Sequence, residues 1–210
     1  MSNYHIFKHL HTINKHRWLV FVHCFRVGIP LQGLVHDLSK YSFTEFFISA
    51  RNYSGVRSPI ANERSEEYGY SKAFIHHTRK NKHHYEYWVD VTLGDIILSP
   101  MPFKYALESS MDMIAASKVY NHNNFTKDKP LEFLEKVKQR SLMHSATKEF
   151  IEYILIEYKN TGFKTLKKRR LKKKYEEILK QHLPTEIIKV YSRENKFDIV
   201  SYEQYMSEKK

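Results

Sequence analysis

Histidine is the residue with the most evident chemical potential in this chain. Ten of the 13 histidines fall in the first 84 positions: His5, His9, His11, His16, His23, His36, His76, His77, His83 and His84. Neutral imidazole is the commonest metal ligand, so the asymmetry points toward metal chemistry. The sharpest motif is His36-Asp37 in VHDLSKYS. Neighbouring residues of a helix point about 100° apart, so both reach one ion only at a helix bend or end. Imidazole nitrogen plus carboxylate oxygen suits Mn, Fe, Co, Ni or Zn. The competing reading is a helix terminus with His36 in the core and Asp37 paired to Lys40.

A second cluster is IHHTRKNKHHYEYW. His76 to His83 and His77 to His84 are each seven apart, so each pair shares a face if the helix is unbroken. Four histidines with Glu86 and Asp90 in so short a span exceed what structure alone requires. His77 and His84 are expected as metal ligands or substrate contacts, and Arg79 and Asn81 as phosphate contacts. His76 and His83 fit a solvated basic helix equally well. Further on, Asp112 interrupts the apolar run YALESSMDMIAASKVY, with Glu108 one turn earlier on the same face. A carboxylate there needs a partner if it is buried; the alternative is a surface aspartate on the wet edge. Near the start, His9, His16 and His23 recur every seven residues as a polar stripe beside an apolar face, and His11 is a further rival.

The elements that must position these residues read as helices. Residues 3–27 form one amphipathic helix with Ile6, Leu10, Ile13, Phe21 and Cys24 near helical spacing, ended by Gly28 and Pro30. A short helix over Leu31–Lys40 is expected to turn Leu31, Leu34, Val35 and Leu38 inward. Ser42 with Glu45 is a capping box for a third helix, to about Asn52. Residues 54–70 read as an irregular excursion, and Ser71 restarts a helix through the second histidine cluster. After a loop over 91–102 come helices over Phe103–Tyr120, from Pro130 to about Ser141, over Thr147–Asn160 and over Leu166–His182. Pro184 to Val190 reads as one more turn before a fraying tail. No alternation of period two stands out, so the fold class is all-α.

The 210 residues fit one domain with an extension. Hydrophobic residues are 41% and charged residues 28%, which excludes wholesale disorder. One cysteine, Cys24, excludes an internal disulfide framework and points to a reducing cytoplasmic location. No stretch approaches the roughly 18 apolar residues of a membrane span, and the start lacks the apolar core of a signal peptide. The formal charge of +12 is uneven: residues 161–210 carry 14 Lys/Arg against 7 Asp/Glu. Residues 1–160 are therefore read as the metal-binding domain, and 161–210 as a basic helical C-terminal extension.

HDLSK resembles the HD[IL][GS]K segment of the HD superfamily of metal-dependent phosphohydrolases. Those proteins are all-helical bundles that use a histidine on an earlier helix, the His-Asp pair and an aspartate on a later helix. The resemblance implies a metal set of His16, His36, Asp37 and Asp112. Some members hold a second metal with extra histidines, a use that the second cluster resembles, although the GYP segment of those members is absent. The chain also resembles a narrower, uncharacterised family of bacterial and phage-borne proteins. The matching segments are TINKHR, GLVHDLSKYSFTEF, SP, GYSKAFIHHTRKNKHHYEYW, MPFKYALE and MDMIAASKVY, over about residues 8–125. TINKHR favours His16 over the other histidines of the first helix.

The function implied is hydrolysis of a nucleotide or other phosphate ester by water activated on one or two divalent transition-metal ions. Lys40 is expected to neutralise phosphoryl charge, and Glu86, with Glu45, is a candidate general base. Two other readings stand beside this one. The run KTLKKRRLKKK, Lys164–Lys174, has eight Lys/Arg and no acid, and suits the phosphate backbone of a nucleic acid. A catalytically inactive HD scaffold is the third.

Overall fold

Helix α1 spans Ile6–Arg26 and stops where the sequence predicts. Gly28 adopts φ +84°, Ile29 N–H donates to the Cys24 carbonyl at 2.9 Å, and Pro30 starts α2, Pro30–Val35. The structure, a computed structural model, describes residues 5–55, 58–64, 69–92, 95–138 and 141–189. The buried residues of α1 are His9, Ile13, His16, Val20, His23 and Cys24. The histidines expected as a polar flank are thus part of the inward face itself.

The expected helix over Leu31–Lys40 is corrected. Helix α2 ends at Val35, Asp37 takes a left-handed φ of 55°, and a 3-10 turn follows over Leu38–Tyr41. Leu31, Leu34, Val35 and Leu38 are all exposed rather than inward. The cause is the contact residue of α2. A Cβ on Gly33 would meet Cys24 Cβ at 2.7 Å and Phe21 Cα at 2.8 Å. Ile29 and Gly33, four apart, face α1, and that leaves the leucines on the far side.

Helix α3, Phe43–Arg51, is capped by Ser42, whose Oγ accepts from Glu45 N–H. The stretch read as an irregular excursion contains a short helix α4, Pro59–Glu63; residues 56–57 and 65–68 lie outside the described residues. Glu63 is buried. It accepts from the backbone of Lys72 at 2.7 Å and from Ser71 Oγ, so its charge sits at the start of α5, Lys72–Lys80. Helix α5 does not run on through His84 as expected. Asn81 is extended, at φ −116° and ψ 106°, which puts His83 and His84 in the turn before a 3-10 segment, Tyr85–Trp88.

The molecule is mainly helical, with a three-stranded antiparallel sheet of β1, Val89–Val91, β2, Asp95–Leu98, and β3, Glu186–Lys189. Val89 pairs with Leu98 and Ile96 with Ile188. These strands correct the loop read over 91–102 and the turn read at Pro184–Val190. They are three or four residues long, too short to display an alternation. The expected fraying tail, residues 190–210, lies outside the described residues.

The remaining helices are α6, Phe103–Asn121, α7, Lys129–Lys138, α8, Ser145–Thr161, and α9, Lys168–Leu179. Helix α6 is central, with Leu107, Met111 and Ile114 fully buried. Phe150 and Ile154 of α8 and Leu171, Tyr175 and Ile178 of α9 join the same core as Val20 and Cys24 of α1. The Tyr175 hydroxyl donates to the Met101 carbonyl. Residues 161–189 therefore pack as part of one core, and no break in packing falls at residue 160. Among the described residues, no helix is long and apolar enough to cross a membrane.

Candidate metal centre

Three segments far apart in sequence meet between α1, α6 and the end of α2. His16 projects from α1 and Asp112 from α6, with His16 Nε2 3.0 Å from Asp112 Oδ1. His36 caps α2, and the left-handed backbone of Asp37 lets two consecutive side chains turn inward together: His36 Nε2 is 3.2 Å from Asp37 Oδ2. Such a backbone costs about 1–2 kcal/mol in a non-glycine residue, and aspartate tolerates it better than most. Arg17 braces the turn from behind. Its Nε donates to the His36 carbonyl at 2.7 Å and its Nη2 to the Leu34 carbonyl at 3.0 Å.

The second histidine segment closes the cluster. His77 Nε2 lies 3.2 Å from Asp37 Oδ1, and His83 Nε2 lies 3.4 Å from the same oxygen. Ligating atoms of Asp37, His77, His83 and His84 all lie within 4.8 Å of one another, as do those of His16, His36 and Asp112. Asp37 sits between the two groups. Its Oδ2 faces His36 and His16, the latter at 3.7 Å, and its Oδ1 faces His77 and His83.

Carboxylates behind the imidazoles set their orientation. His36 Nδ1 is 2.9 Å and His83 Nδ1 3.2 Å from Glu108 Oε1, while Gln32 donates to Glu108 Oε2 at 2.9 Å. His77 Nδ1 is 2.8 Å from Glu45 Oε2. An ionised carboxylate can only accept, so each Nδ1 carries a proton and each Nε2 lone pair faces the cluster. This is the outer-shell pattern of metal-binding histidines. The result is a set of buried lone pairs facing lone pairs. Asp37 Oδ1, His83 Nε2 and His84 Nε2 are buried without a hydrogen-bond partner, and His16 Nε2 lies 3.4 Å from His36 Nε2. Acceptors packed this way repel unless a cation or protons lie between them. The residues present therefore fit one or two divalent ions.

The electrostatics describe what holds the cluster without a metal. Burial works against a charge on His36, but Asp37, Glu108 and Asp112 outweigh it and raise its pKa to about 10. Burial also opposes charge on His77, and Asp37 and Glu45 overcome it and raise its pKa. Burial and the neighbouring imidazoles lower His83 and His84. Burial would raise Asp37 and Asp112, but surrounding cations hold both well below the usual carboxylate range. Protons on His36 and His77 thus stand where a metal would act.

Not every expected site residue reaches this cluster. Lys40 does, with Nζ 2.7 Å from Asp37 Oδ2. Glu86 lies at its edge, with Oε2 3.9 Å from His84 Nδ1 and its pKa raised by burial. Asn81 is buried but already engaged: its amide nitrogen donates to Ser39 Oγ at 2.7 Å and to the His77 carbonyl at 2.9 Å. It acts as a brace beneath His77 rather than an open contact. Arg79 is exposed on α5 and lines a surface cavity of about 430 Å³ with His76 and Tyr70, away from the donors. His76 itself pairs with Glu45 Oε1 at 2.7 Å.

Two members of the arrangement have no role in the sequence reading. His83 looks like half of an i, i+7 pair on a helix, whereas the break at Asn81 turns it into the cluster. Glu108 is legible as a neighbour of Asp112, but its task of orienting His36 and His83 needs the fold. The signal available for His83 is the asparagine two residues before it, since asparagine disfavours continued helix.

Fold and site together define a helical protein with a histidine-carboxylate cluster suited to divalent metal. The chain belongs to a family of unknown function, DUF5662, whose family model matches residues 5–157. That span contains every donor named above and ends before α9. No curated protein and no solved structure matches the chain.

Proposed function

We propose that the protein is a metal-dependent phosphohydrolase acting on a nucleotide or other phosphate ester. The carrying observation is the convergence of five imidazoles and two aspartates around Asp37, with three buried donor atoms lacking any hydrogen-bond partner. His16, His36, Asp37 and Asp112 together resemble the metal set of HD phosphohydrolases. His77, His83 and His84 supply the donors of a second position, with Asp37 shared between the two. When bound, a divalent ion lowers the pKa of water and polarises a phosphoryl oxygen.

The protein's own residues then have distinct tasks. Glu108 and Glu45 keep the imidazole lone pairs aimed inward. Lys40 Nζ, beside Asp37, pairs with a phosphoryl oxygen and offsets the charge that grows on it. Glu86, at the rim beside His84, is placed to accept a proton from water or return one to the leaving oxygen.

The test is elemental analysis of freshly purified protein beside a hydrolysis screen over nucleoside mono- and triphosphates, cyclic nucleotides and nucleic-acid ends. We expect one to two equivalents of transition metal and hydrolysis that a chelator abolishes. Asp37→Ala should lose most of the metal and the activity. Protein that takes up no metal when supplied with Mn, Fe, Co, Ni or Zn would sink the reading. Metal-replete protein inert on every ester would leave a metal-binding scaffold in its place.

A further inference from the structure

The face of the molecule behind the His36-Asp37 turn is apolar and uncovered. Trp18 and Phe25 of α1, Leu31, Leu34 and Val35 of α2, and Leu38 of the following turn are each between 52% and 74% exposed. They lie on adjoining elements. Phe21 lies between Trp18 and Phe25, with ring centroids 5.7 and 6.4 Å away, and α2 crosses directly over Phe21 and Cys24 at Gly33. Arg17 ties the Leu34 carbonyl to the Tyr41 hydroxyl, with 3.0 Å to each. Leu31, Leu34 and Val35 face outward because the inward side of α2 is spent on the close contact with α1.

We infer that this face is the interface of a two-fold symmetric homodimer. The six side chains expose roughly 600 Å² of apolar surface, taking about 150–250 Å² for a whole aromatic and about 100 Å² or more for an aliphatic side chain. A monomer rarely carries more than a few hundred Å² in one patch, and a stable interface needs about 800 Å² per partner, with a polar rim supplying the rest. Charge selects a second copy as the occupant. The chain carries +12, so most of its surface repels another copy. From Trp18 to Val35 the only Lys, Arg, Asp or Glu is Arg26, and its guanidinium lies over the Phe163 ring, 5.2 Å from the centroid. The patch is where two copies meet without like-charge repulsion, and homodimer interfaces are the more apolar kind. Such a dimer also covers Arg17 and the outer side of the turn that carries Asp37, and so stiffens the backbone that presents it.

Sedimentation equilibrium and light scattering on the full chain decide this independently of metal or activity. Wild type at tens of micromolar should run at twice the 25.3 kDa chain mass. Leu34→Glu and Trp18→Glu should each weaken the dimer at least tenfold while keeping the wild-type circular dichroism. Leu34→Met should preserve the dimer. A wild-type monomer at that concentration overturns the proposal, including one that instead binds anionic phospholipid vesicles through the patch. A dimer that survives both glutamate variants overturns it too. If a glutamate variant unfolds, Leu31→Cys under mild oxidation replaces it: a crosslinked dimer supports the interface, and failure to crosslink in a dimeric protein refutes it.

Discussion

Glu108 touches no substrate position, yet two of the histidines depend on it. Replacing it with Gln keeps the shape and the reach to Gln32 but removes the charge that holds His36 and His83 as Nδ1–H tautomers. Loss of such an outer carboxylate typically costs 10- to 100-fold in metal affinity. Glu108→Gln should show that loss in a competition titration against a chelator, with a melting temperature near wild type in metal-free buffer. Lys40 separates differently. Its ammonium lies 2.7 Å from Asp37 but offers no lone pair to a metal. Lys40→Ala should cut turnover at least tenfold with metal content unchanged. Metal loss in that variant would make Lys40 a structural counter-ion to Asp37.

Among the elements, α2 is short and decisive. It delivers His36 and Asp37, and its position rests on Gly33 lying against Phe21 and Cys24. A methyl group there clashes with backbone and Cβ atoms, which cannot swing away as a flexible side-chain tip would. Gly33→Ala should destabilise the fold by about 1–3 kcal/mol, as overpacking does, and weaken metal binding more than Glu108→Gln. Equilibrium urea melts and metal titration test both parts. Helix α5 depends on its own ends in the same way: Glu63 and Ser71 fix its start and Asn81 its stop. The stop at Asn81 turns His83 into the cluster, whereas an unbroken helix would leave it to a periodicity argument.

At the scale of the whole molecule, two buried histidines tie stability to pH. In the folded protein, burial and Lys118 push His23 down to about 3, and burial and Lys40 push His9 down to about 4. In the unfolded chain both protonate near 6.5. Below that pH the unfolded state binds protons that the folded state refuses, so stability present above pH 6.5 is lost as the pH falls toward 4 and 3. Thermal melts from pH 7.5 to 4.5 should show it, with a shallower slope for His23→Gln than for wild type. An equal slope would mean that other groups govern acid unfolding. The C-terminal segment belongs to the same scale. Truncation after Asn160 removes Leu171, Tyr175 and Ile178 from the core and β3 from the sheet. The truncated chain should fail to fold cooperatively, as a flat thermal melt would show, rather than survive as a metal domain freed of a basic tail.

The sequence by itself determined the helical class, the end of α1 at Gly28 and Pro30, the Ser42 cap and the family. Each depends on local chemistry: periodicity, backbone freedom, a side chain reaching its own backbone, or a run of matching motifs. It also singled out His16, His36, Asp37, His77, His84 and Asp112, because histidines and carboxylates at odds with their helical surroundings stand out in one dimension. Only the tertiary structure decided which way faces turn. Leu31 and Leu34 point outward because Gly33 occupies the contact with α1, and the histidines of α1 point inward because α6 lies against that face. His83 joins His36 through Glu108, a link between α6 and two separate segments. Periodicity along one helix says which residues share a face, but only the partner helix says which face is buried.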